Sequence, residues 1–209
     1  MAEIITSILV KTKAEMLEKI MAVEGHCERV HLDVADGIFV PNMTISGFEE
    51  VEEIETTLKI GAHLMVFKPE NHVPRWLETP VDKIIFHIEA TKKALEVVVA
   101  IKEGERKVGV ALNPSTPLLA IEQIVNDVDF IHFMTVEPGF YGGKFIESVV
   151  EKITDFHYYY PDKPIEVDGG INLDNAPELI KAGASMLVIG SDIWNSKDLA
   201  EEIKMLKKL

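Results

Sequence analysis

The sequence contains a single cysteine, Cys27, among 209 residues, so no disulfide can form within the chain. A reducing compartment is therefore the expected environment, and we predict a cytoplasmic location. The apolar runs are all well short of the ~18 residues that a membrane-spanning helix needs. Residues 1–13 lack the basic and apolar regions of a signal peptide. These absences exclude disulfide-rich scaffolds and argue against a membrane span or a secretory leader.

Basic residues are scarce relative to acidic ones. There are 21 Lys and Arg against 35 Asp and Glu, which gives a formal net charge of −14. A chain with this charge and no basic patch repels nucleic acid and anionic membranes, so neither is an expected partner. Apolar residues make up 47% of the chain and charged residues 27%, the usual composition of a globular protein. The length predicts one domain spanning residues 1–209.

Short apolar runs recur at nearly even spacing, and amphipathic segments separate them. Most of the runs are rich in Val, Ile or Phe, as strands buried on both faces are. The eight runs are 4–9, 29–34, 60–66, 83–88, 107–112, 129–135, 164–167 and 185–189. Alternation with helices predicts a parallel sheet, and eight such units predict a closed (β/α)₈ TIM barrel. A doubly wound open sheet is the alternative, but no glycine-rich turn follows the first run.

The segments between the apolar runs show helical periodicity. Met16, Ile20 and Val23 recur at intervals of four and three residues, which places them on one face of a helix. A capped helix is predicted between Asn172 and Gly183, because asparagine is typical of a helix start and glycine of a helix end.

Polar side chains of unusual type lie near the ends of successive strands. His31 and Asp33 are two residues apart in the second strand, so they point to the same face. His63 and Asp168 lie at comparable heights in the third and seventh strands. In a barrel these strand ends meet at the face where catalytic groups lie. Two imidazoles and two carboxylates there predict a site for a divalent ion such as Zn²⁺, Mn²⁺, Fe²⁺ or Co²⁺.

Glycine-rich segments follow the sixth, seventh and eighth strands, at 138–144, 168–170 and 190–191. Glycine lets backbone N–H groups approach an anion closely, and barrels often bind phosphate near strands seven and eight. The pattern predicts a phosphate site. A protein of net charge −14 could then bind a phosphorylated sugar through local backbone amides and Lys144.

In these segments the sequence resembles the ribulose-phosphate 3-epimerase family of metal-dependent (β/α)₈ barrels. The matching motifs occur in order from about residue 5 to residue 194, which is nearly the whole chain. They are His31-Leu-Asp-Val-Ala-Asp-Gly-Ile-Phe-Val-Pro-Asn42, His63-Leu-Met-Val66, His87-Ile-Glu89, Gly109-Val-Ala-Leu-Asn-Pro-Ser-Thr-Pro117, Met134-Thr-Val-Glu-Pro-Gly-Phe140 and Glu166-Val-Asp-Gly-Gly170, with Ser7-Ile-Leu9 at the start and Gly190-Ser191 near the end. The resemblance implies a (β/α)₈ TIM barrel of the ribulose-phosphate-binding type.

The resemblance implies a role for each matching position. Asp33 and Asp168 would be the two acid–base carboxylates. The implied ligands of one divalent metal ion (Zn, Fe, Mn or Co) are His31, Asp33, His63 and Asp168. The implied substrate contacts are Ser7, His63, Gly139, Phe140, Tyr141, Gly142, Gly169, Gly170, Gly190 and Ser191. Met65 and Met134 would line the site, and the family commonly forms homo-oligomers.

The implied reaction is epimerisation at C3 of a ketose phosphate, with D-ribulose 5-phosphate giving D-xylulose 5-phosphate in the pentose phosphate pathway. One carboxylate removes the C3 proton to give a 2,3-enediolate, and the other returns a proton to the opposite face. Two carboxylates are needed because one group cannot serve both faces of a planar intermediate. No redox cofactor is required.

Several positions depart from the family pattern, among them Ala35, Ile38, Tyr141 and Asp192. None of the four is an implied metal ligand or acid–base carboxylate, so they bear on the identity of the substrate more than on the reaction. Another ketose phosphate, such as allulose 6-phosphate, is therefore an alternative substrate. A metal-free phosphate-binding barrel enzyme and a degenerate barrel without turnover are the remaining alternatives.

Tyr141 stands where the family has a glycine, and a bulky side chain disfavours positive φ. We expect the loop to avoid positive φ at this position, with Gly143 as the new flexible point. The Tyr141 hydroxyl would then be available near the phosphate.

Overall fold

The strands form one sheet that closes into a barrel. The computed structural model describes residues 2–209, and in this part of the chain eight parallel strands form a closed barrel. They are β1 (Glu3–Ile8), β2 (Arg29–Ala35), β3 (Lys59–Met65), β4 (Lys83–His87), β5 (Lys107–Leu112), β6 (Phe130–Met134), β7 (Ile165–Asp168) and β8 (Met186–Ile189). Each strand pairs with the next along the chain, and β8 pairs with β1. The predicted (β/α)₈ barrel is confirmed. The open sheet is excluded because every strand pairs with a neighbour on both sides, so the sheet has no edge strand.

Helices lie on the outside of the barrel. They are α1 (Lys13–Val23), α2 (Phe48–Glu52), α3 (Val73–Trp76), α4 (Ala94–Glu103), α5 (Ser148–Tyr159), α6 (Ala176–Ala182), α7 (Ser191–Asn195) and α8 (Leu199–Leu206). Helices α1–α6 lie in connections between strands, and α7 and α8 follow β8. Across residues 2–209, none of the helices is both long and apolar enough to cross a membrane.

The connection between β5 and β6 departs from the alternation. It contains a 3₁₀ segment, Leu118–Ile121, where the pattern predicts an α-helix. Pro114 and Pro117 precede this segment. Because proline lacks the N–H group that a helix interior needs, these two residues prevent a helix from extending through the first part of the connection.

Helix α1 forms as its apolar stripe predicts. Met16, Ile20 and Val23 are all buried against the barrel. The side chain of Thr12 accepts a hydrogen bond from the N–H of Glu15, and the Glu15 carboxylate accepts one from the N–H of Thr12. This reciprocal pairing satisfies backbone donors that a helix start otherwise leaves free.

Helix α6 begins later than the sequence suggests. The side-chain oxygen of Asn172 accepts hydrogen bonds from the N–H groups of Asp174 and Asn175, which makes a separate turn before the helix. The helix itself starts at Ala176. Gly183 ends it at φ 115°, a left-handed conformation that glycine adopts without steric cost.

Strand register places the polar side chains at one end of the barrel. Asp33 pairs with His63 across β2 and β3, and Met134 pairs with Asp168 across β6 and β7. These residues all lie in the carboxyl-terminal halves of their strands. Their side chains are buried inside the barrel rather than directed towards the helices, so the site lies at its carboxyl-terminal end.

Candidate active site

The four predicted metal ligands come together inside the barrel. One ligand atom from each of His31, Asp33, His63 and Asp168 can be chosen such that all four atoms lie within 4.8 Å of one another. All four residues are buried, with relative exposures between 0% and 8%. Their positions near strand ends therefore correctly predicted that these four residues lie together. Two imidazoles and two carboxylates are donors that suit a divalent ion.

Hydrogen bonding around His63 indicates which of its nitrogens faces the carboxylates. Nε2 of His63 lies 2.9 Å from Nε2 of His87, and Nδ1 of His87 lies 3.5 Å from a carboxylate oxygen of Glu89. With a cation on Nδ1 of His63, the ring proton lies on Nε2, which donates a hydrogen bond to Nε2 of His87. Nδ1 of His63 lies within hydrogen-bond distance of Oδ1 of Asp33, at 2.9 Å, and 3.7 Å from Oδ2 of Asp168. A cation fits between these three groups.

His31 provides an independent test of that fit. Both of its ring nitrogens are buried and make no hydrogen bond, although Nε2 lies 3.3 Å from Oε1 of Glu166. Buried polar atoms in proteins are normally paired, so unpaired nitrogens in the middle of the cluster point to a ligand. The orphaned imidazole and the facing carboxylates together fit a bound divalent ion.

Burial controls the charge of the cluster. Burial and the negative charge of Asp168 raise the pKa of Asp33 well above its usual range. Burial raises the pKa of Asp168 to about 6. Burial also lowers the pKa of His31 and His63 well below the usual value. The protein thus places two carboxylates that resist ionisation beside two neutral imidazoles, and a cation would supply the missing positive charge.

The predicted substrate contacts line one cavity above this cluster. The loops that form its walls have positive backbone φ angles at Gly139 (112°) and Gly169 (117°). A Cβ at Gly169 would lie 2.5 Å from a methyl group of Val136. These two positions therefore require glycine. The predicted residues that line the cavity are Ser7, Asp33, His63, Met65, Met134, Gly139, Phe140, Tyr141, Gly142, Asp168, Gly169, Gly170, Gly190 and Ser191.

Tyr141 ties the glycine-rich loop to the first strand. Its hydroxyl accepts a hydrogen bond from the N–H of Leu9 at 2.7 Å and donates one to the carbonyl of Ser7 at 3.0 Å. The indole N–H of Trp194 donates to the same carbonyl at 2.7 Å. The expectation that the hydroxyl is available to a phosphate is wrong, because its one proton is already donated to Ser7.

The backbone of this loop avoids strain at the tyrosine. Tyr141 has a negative φ, as expected, and Gly142 has a positive φ of 75°. The expectation that Gly143 is the flexible point is therefore wrong by one residue. Lys144 lies outside the residues that line the cavity. A phosphate in this loop would consequently meet backbone N–H groups rather than the Lys144 ammonium.

Most of the unusual positions lie away from the cavity. Ala35 is buried, and its N–H donates to the hydroxyl of Thr44. Ile38 is 73% exposed. Of the altered positions Ala35, Ile38, Tyr141 and Asp192, the described lining of the cavity includes Tyr141. Of these four differences from the family, the one at Tyr141 therefore bears most directly on substrate binding.

Three further residues of the site escape prediction from the sequence. Lys83, His132 and Glu166 are buried inside the barrel, next to the cluster of His31, Asp33, His63 and Asp168. Burial opposes ionisation of Glu166, but His31 and Lys83 hold its pKa below the usual range. The sequence feature that could have identified these three residues is a charged or imidazole side chain within an otherwise apolar strand.

This chain is similar in sequence to ribulose-phosphate 3-epimerases along most of its length. The sequence model of the ribulose-phosphate 3 epimerase family matches residues 3–194. A chloroplastic ribulose-5-phosphate-3-epimerase from Arabidopsis thaliana is 43% identical, over 96% of this chain and 74% of its own length. A ribulose-phosphate 3-epimerase from Bacillus subtilis is 38% identical over 99% of both chains. A crystal structure of 3-hexulose-6-phosphate synthase superposes with a TM-score of 0.75 at 16% identity, covering 99% of this chain and 98% of the other, which shows the shared fold.

Proposed function

Because the chain belongs to the ribulose-phosphate 3-epimerase family, we propose that it is an isomerase that interconverts D-ribulose 5-phosphate and D-xylulose 5-phosphate. The observation that carries this proposal is the placement of Asp33 and Asp168. They project from different strands, β2 and β7, into one cavity whose lining also contains the glycine-rich loops. Two proton-transfer groups and a phosphate site are what inversion at a carbon of a sugar phosphate requires.

Proton transfer is assigned to the two buried carboxylates. One of them removes the C3 proton from one face of the ketose, and the electron pair moves towards the C2 carbonyl to give a 2,3-enediolate. The other, protonated, returns a proton to C3 from the opposite face. Burial raises the pKa of both Asp33 and Asp168, which makes each able to hold a proton at this stage. The reverse reaction exchanges the two roles.

The remaining residues would bind and orient. We propose that His31, Asp33, His63 and Asp168 hold one divalent metal ion (Zn, Fe, Mn or Co). When bound, such an ion supplies positive charge that stabilises the negative charge developing on the substrate oxygens. His87, oriented by Glu89, would fix the ring of His63. Single-domain organisation over 1–209, the homo-oligomer implied by the resemblance and the cytoplasmic location stay predictions.

The test of this function is product analysis with a panel of ketoses. We expect D-ribulose 5-phosphate to have the highest kcat/KM, and unphosphorylated D-ribulose to be poorer by at least about 10²-fold. Binding energy from the remote phosphate is used to orient the reacting carbon, so its loss lowers kcat as well as affinity. Allulose 6-phosphate serves as the comparison for chain length. Equal kcat/KM with and without the phosphate would remove the phosphate site from this proposal.

Tyr141 should affect substrate affinity more than turnover. Changing Tyr141 to Gly removes two hydrogen bonds that tie the loop to β1, each contributing roughly 0.5–1.5 kcal/mol. We expect the reaction to survive, with KM for D-ribulose 5-phosphate changed by up to about tenfold and kcat nearly unchanged. Tyr141→Phe is the matched control, because it keeps the ring against Gly190 and loses only the hydroxyl. A large fall in kcat in the Phe variant would show that the hydroxyl takes part in the chemistry.

A further inference from the structure

The side chain of Tyr141 reaches across one side of the barrel mouth. Tyr141 belongs to the connection that follows β6, but its hydroxyl is hydrogen-bonded to Ser7 and Leu9 at the end of β1. In the closed barrel, β7 and β8 lie between β6 and β1. The tyrosine side chain therefore passes over the ends of β7 and β8, where the glycine-rich segments 168–170 and 190–191 lie.

Close packing fixes the position of this ring. A Cβ at Gly190 would lie 2.6 Å from Cε1 of Tyr141 and 2.4 Å from Oγ of Ser7. Both distances are well below the roughly 3.5 Å at which non-bonded atoms normally meet, so the ring packs directly on the backbone of Gly190. Two hydrogen bonds thus hold the hydroxyl end of the side chain, and Gly190 supports one edge of its ring.

Two side chains from helices outside the barrel lie next to the ring. The indole N–H of Trp194, in α7, donates to the same carbonyl of Ser7 that accepts from Tyr141. The ammonium of Lys19, in α1, lies 3.6 Å from the centre of the Trp194 ring and 5.7 Å from the centre of the Tyr141 ring. Cation–π attraction holds Lys19 against these rings, so outward movement of Tyr141 would disrupt this packing.

The loop that carries Tyr141 is also fixed. The side-chain amide of Asn42, which is buried, donates to the carbonyl of Gly139 at 2.6 Å. Val40 packs against the same residue, because a Cβ at Gly139 would lie 2.9 Å from Cβ of Val40. Gly139 precedes Tyr141 by only two residues. The loop therefore cannot carry the ring away from the cavity without breaking contacts to the connection that follows β2.

The ring lines the same cavity as the two carboxylates. Asp33 and Asp168 project into this cavity from β2 and β7, and Tyr141 lies across its mouth. The space between them has to hold the substrate carbons and a phosphate against the glycine-rich segments. Because the reacting carbon must stay beside the carboxylates, each added carbon moves the phosphate towards the ring.

We propose that the ring of Tyr141 limits the length of the substrate and selects five-carbon over six-carbon ketose phosphates. This inference rests on the proposed function, because it places the reacting carbon beside Asp33 and Asp168. It assigns the selection to the ring rather than to the hydroxyl, since the hydroxyl is bound to backbone groups. A role limited to holding the loop predicts instead that loss of the ring lowers kcat/KM for both classes of substrate by the same factor.

The test compares kcat/KM for D-ribulose 5-phosphate and allulose 6-phosphate, each followed by formation of its C3 epimer, in protein purified from metal-supplemented medium. We expect the unmodified protein to prefer the five-carbon substrate by at least about 10²-fold, and Tyr141→Ala to reduce that preference by at least about tenfold, as expected for one extra group in a packed pocket. Alanine suits this position because φ is negative there, so the change adds no glycine flexibility.

Two further substitutions separate the ring from the hydroxyl and from its size. Tyr141→Phe keeps the ring against Gly190 and should keep the preference of the unmodified protein. Tyr141→Leu is intermediate in size, so its preference should lie between those of the Phe and Ala variants. The matched control is Tyr159→Ala, which removes the same side chain at the exposed end of α5 and should leave both kcat/KM values unchanged. Thermal unfolding and circular dichroism verify that each variant is folded.

The outcomes separate this inference from the proposed function. If the unmodified protein epimerises neither sugar phosphate, the proposed function fails. If it epimerises D-ribulose 5-phosphate without preferring it to allulose 6-phosphate, only the selection by Tyr141 is overturned. An unchanged preference in folded Tyr141→Ala and Tyr141→Leu also overturns it. A loss of preference in Tyr141→Phe as large as in Tyr141→Ala would assign the selection to the hydroxyl and contradict the role of the ring.

Discussion

Changing Asp168 to Asn is expected to lower kcat for the epimerisation of D-ribulose 5-phosphate by at least about 10⁴-fold. An amide cannot take or return a proton, and general acid–base catalysis typically contributes about 10²–10⁴-fold. The change also removes one of four clustered ligand groups, which adds to the loss. Asparagine has nearly the same shape, so the barrel should remain folded.

Two measurements check this expectation. Turnover is followed by formation of D-xylulose 5-phosphate, and exchange of the C3 hydrogen with deuterated solvent is followed by NMR. Both should be abolished in Asp168→Asn. Asp174→Asn is the control, because Asp174 is exposed in the connection that follows the same strand and the change removes the same charge. Near-normal turnover in Asp168→Asn would refute the proposed mechanism.

The strands were predictable because each is buried on both faces. The apolar runs match the observed strands to within one residue at each end, as the run 107–112 and the strand Lys107–Leu112 illustrate. The cluster of four candidate ligands was predictable for a related reason. Once eight parallel strands close into a barrel, residues near their carboxyl ends must meet, so His63 and Asp168 come together although 105 positions separate them in the chain.

The part of the site around Lys83 was not predictable from local pattern. Lys83 opens an apolar run and is indistinguishable in sequence from an exposed strand start, such as Lys59 or Lys107. What separates it from those residues is the missing side chain of Gly61 on the neighbouring strand. That relation depends on the register between β3 and β4, which no single stretch of sequence contains.

The same limit applies to the loop around Tyr141. Its sequence correctly predicted that the tyrosine avoids positive φ, because that rule is local. The partners of its hydroxyl, Leu9 and Ser7, lie more than 130 positions away in the chain. The Tyr141 hydroxyl, which the sequence predicted to be available to substrate, is therefore hydrogen-bonded to backbone groups that the closed barrel brings next to it.

Replacing His63 with Ala should remove most of the bound metal from a folded protein. Nδ1 of His63 lies 2.9 Å from Asp33 and 3.7 Å from Asp168, so the change deletes the donor between the two carboxylates. The vacated space is lined by polar groups, including His87, and can take a water molecule. Strand pairing in β3 involves the backbone and is retained. Loss of metal with the fold preserved is therefore the expected result.

The measurement is metal content by elemental analysis after purification from metal-supplemented medium and dialysis. We expect about one divalent ion per chain in the unmodified protein and less than about one tenth of that in His63→Ala, because three remaining protein ligands bind such an ion far more weakly than four. His26→Ala is the control, since His26 is exposed and lies outside the cluster. Excess metal should restore part of the turnover of His63→Ala, as Asp33 and Asp168 remain. Undiminished metal in His63→Ala would place the bound ion elsewhere and contradict the assignment of this cluster.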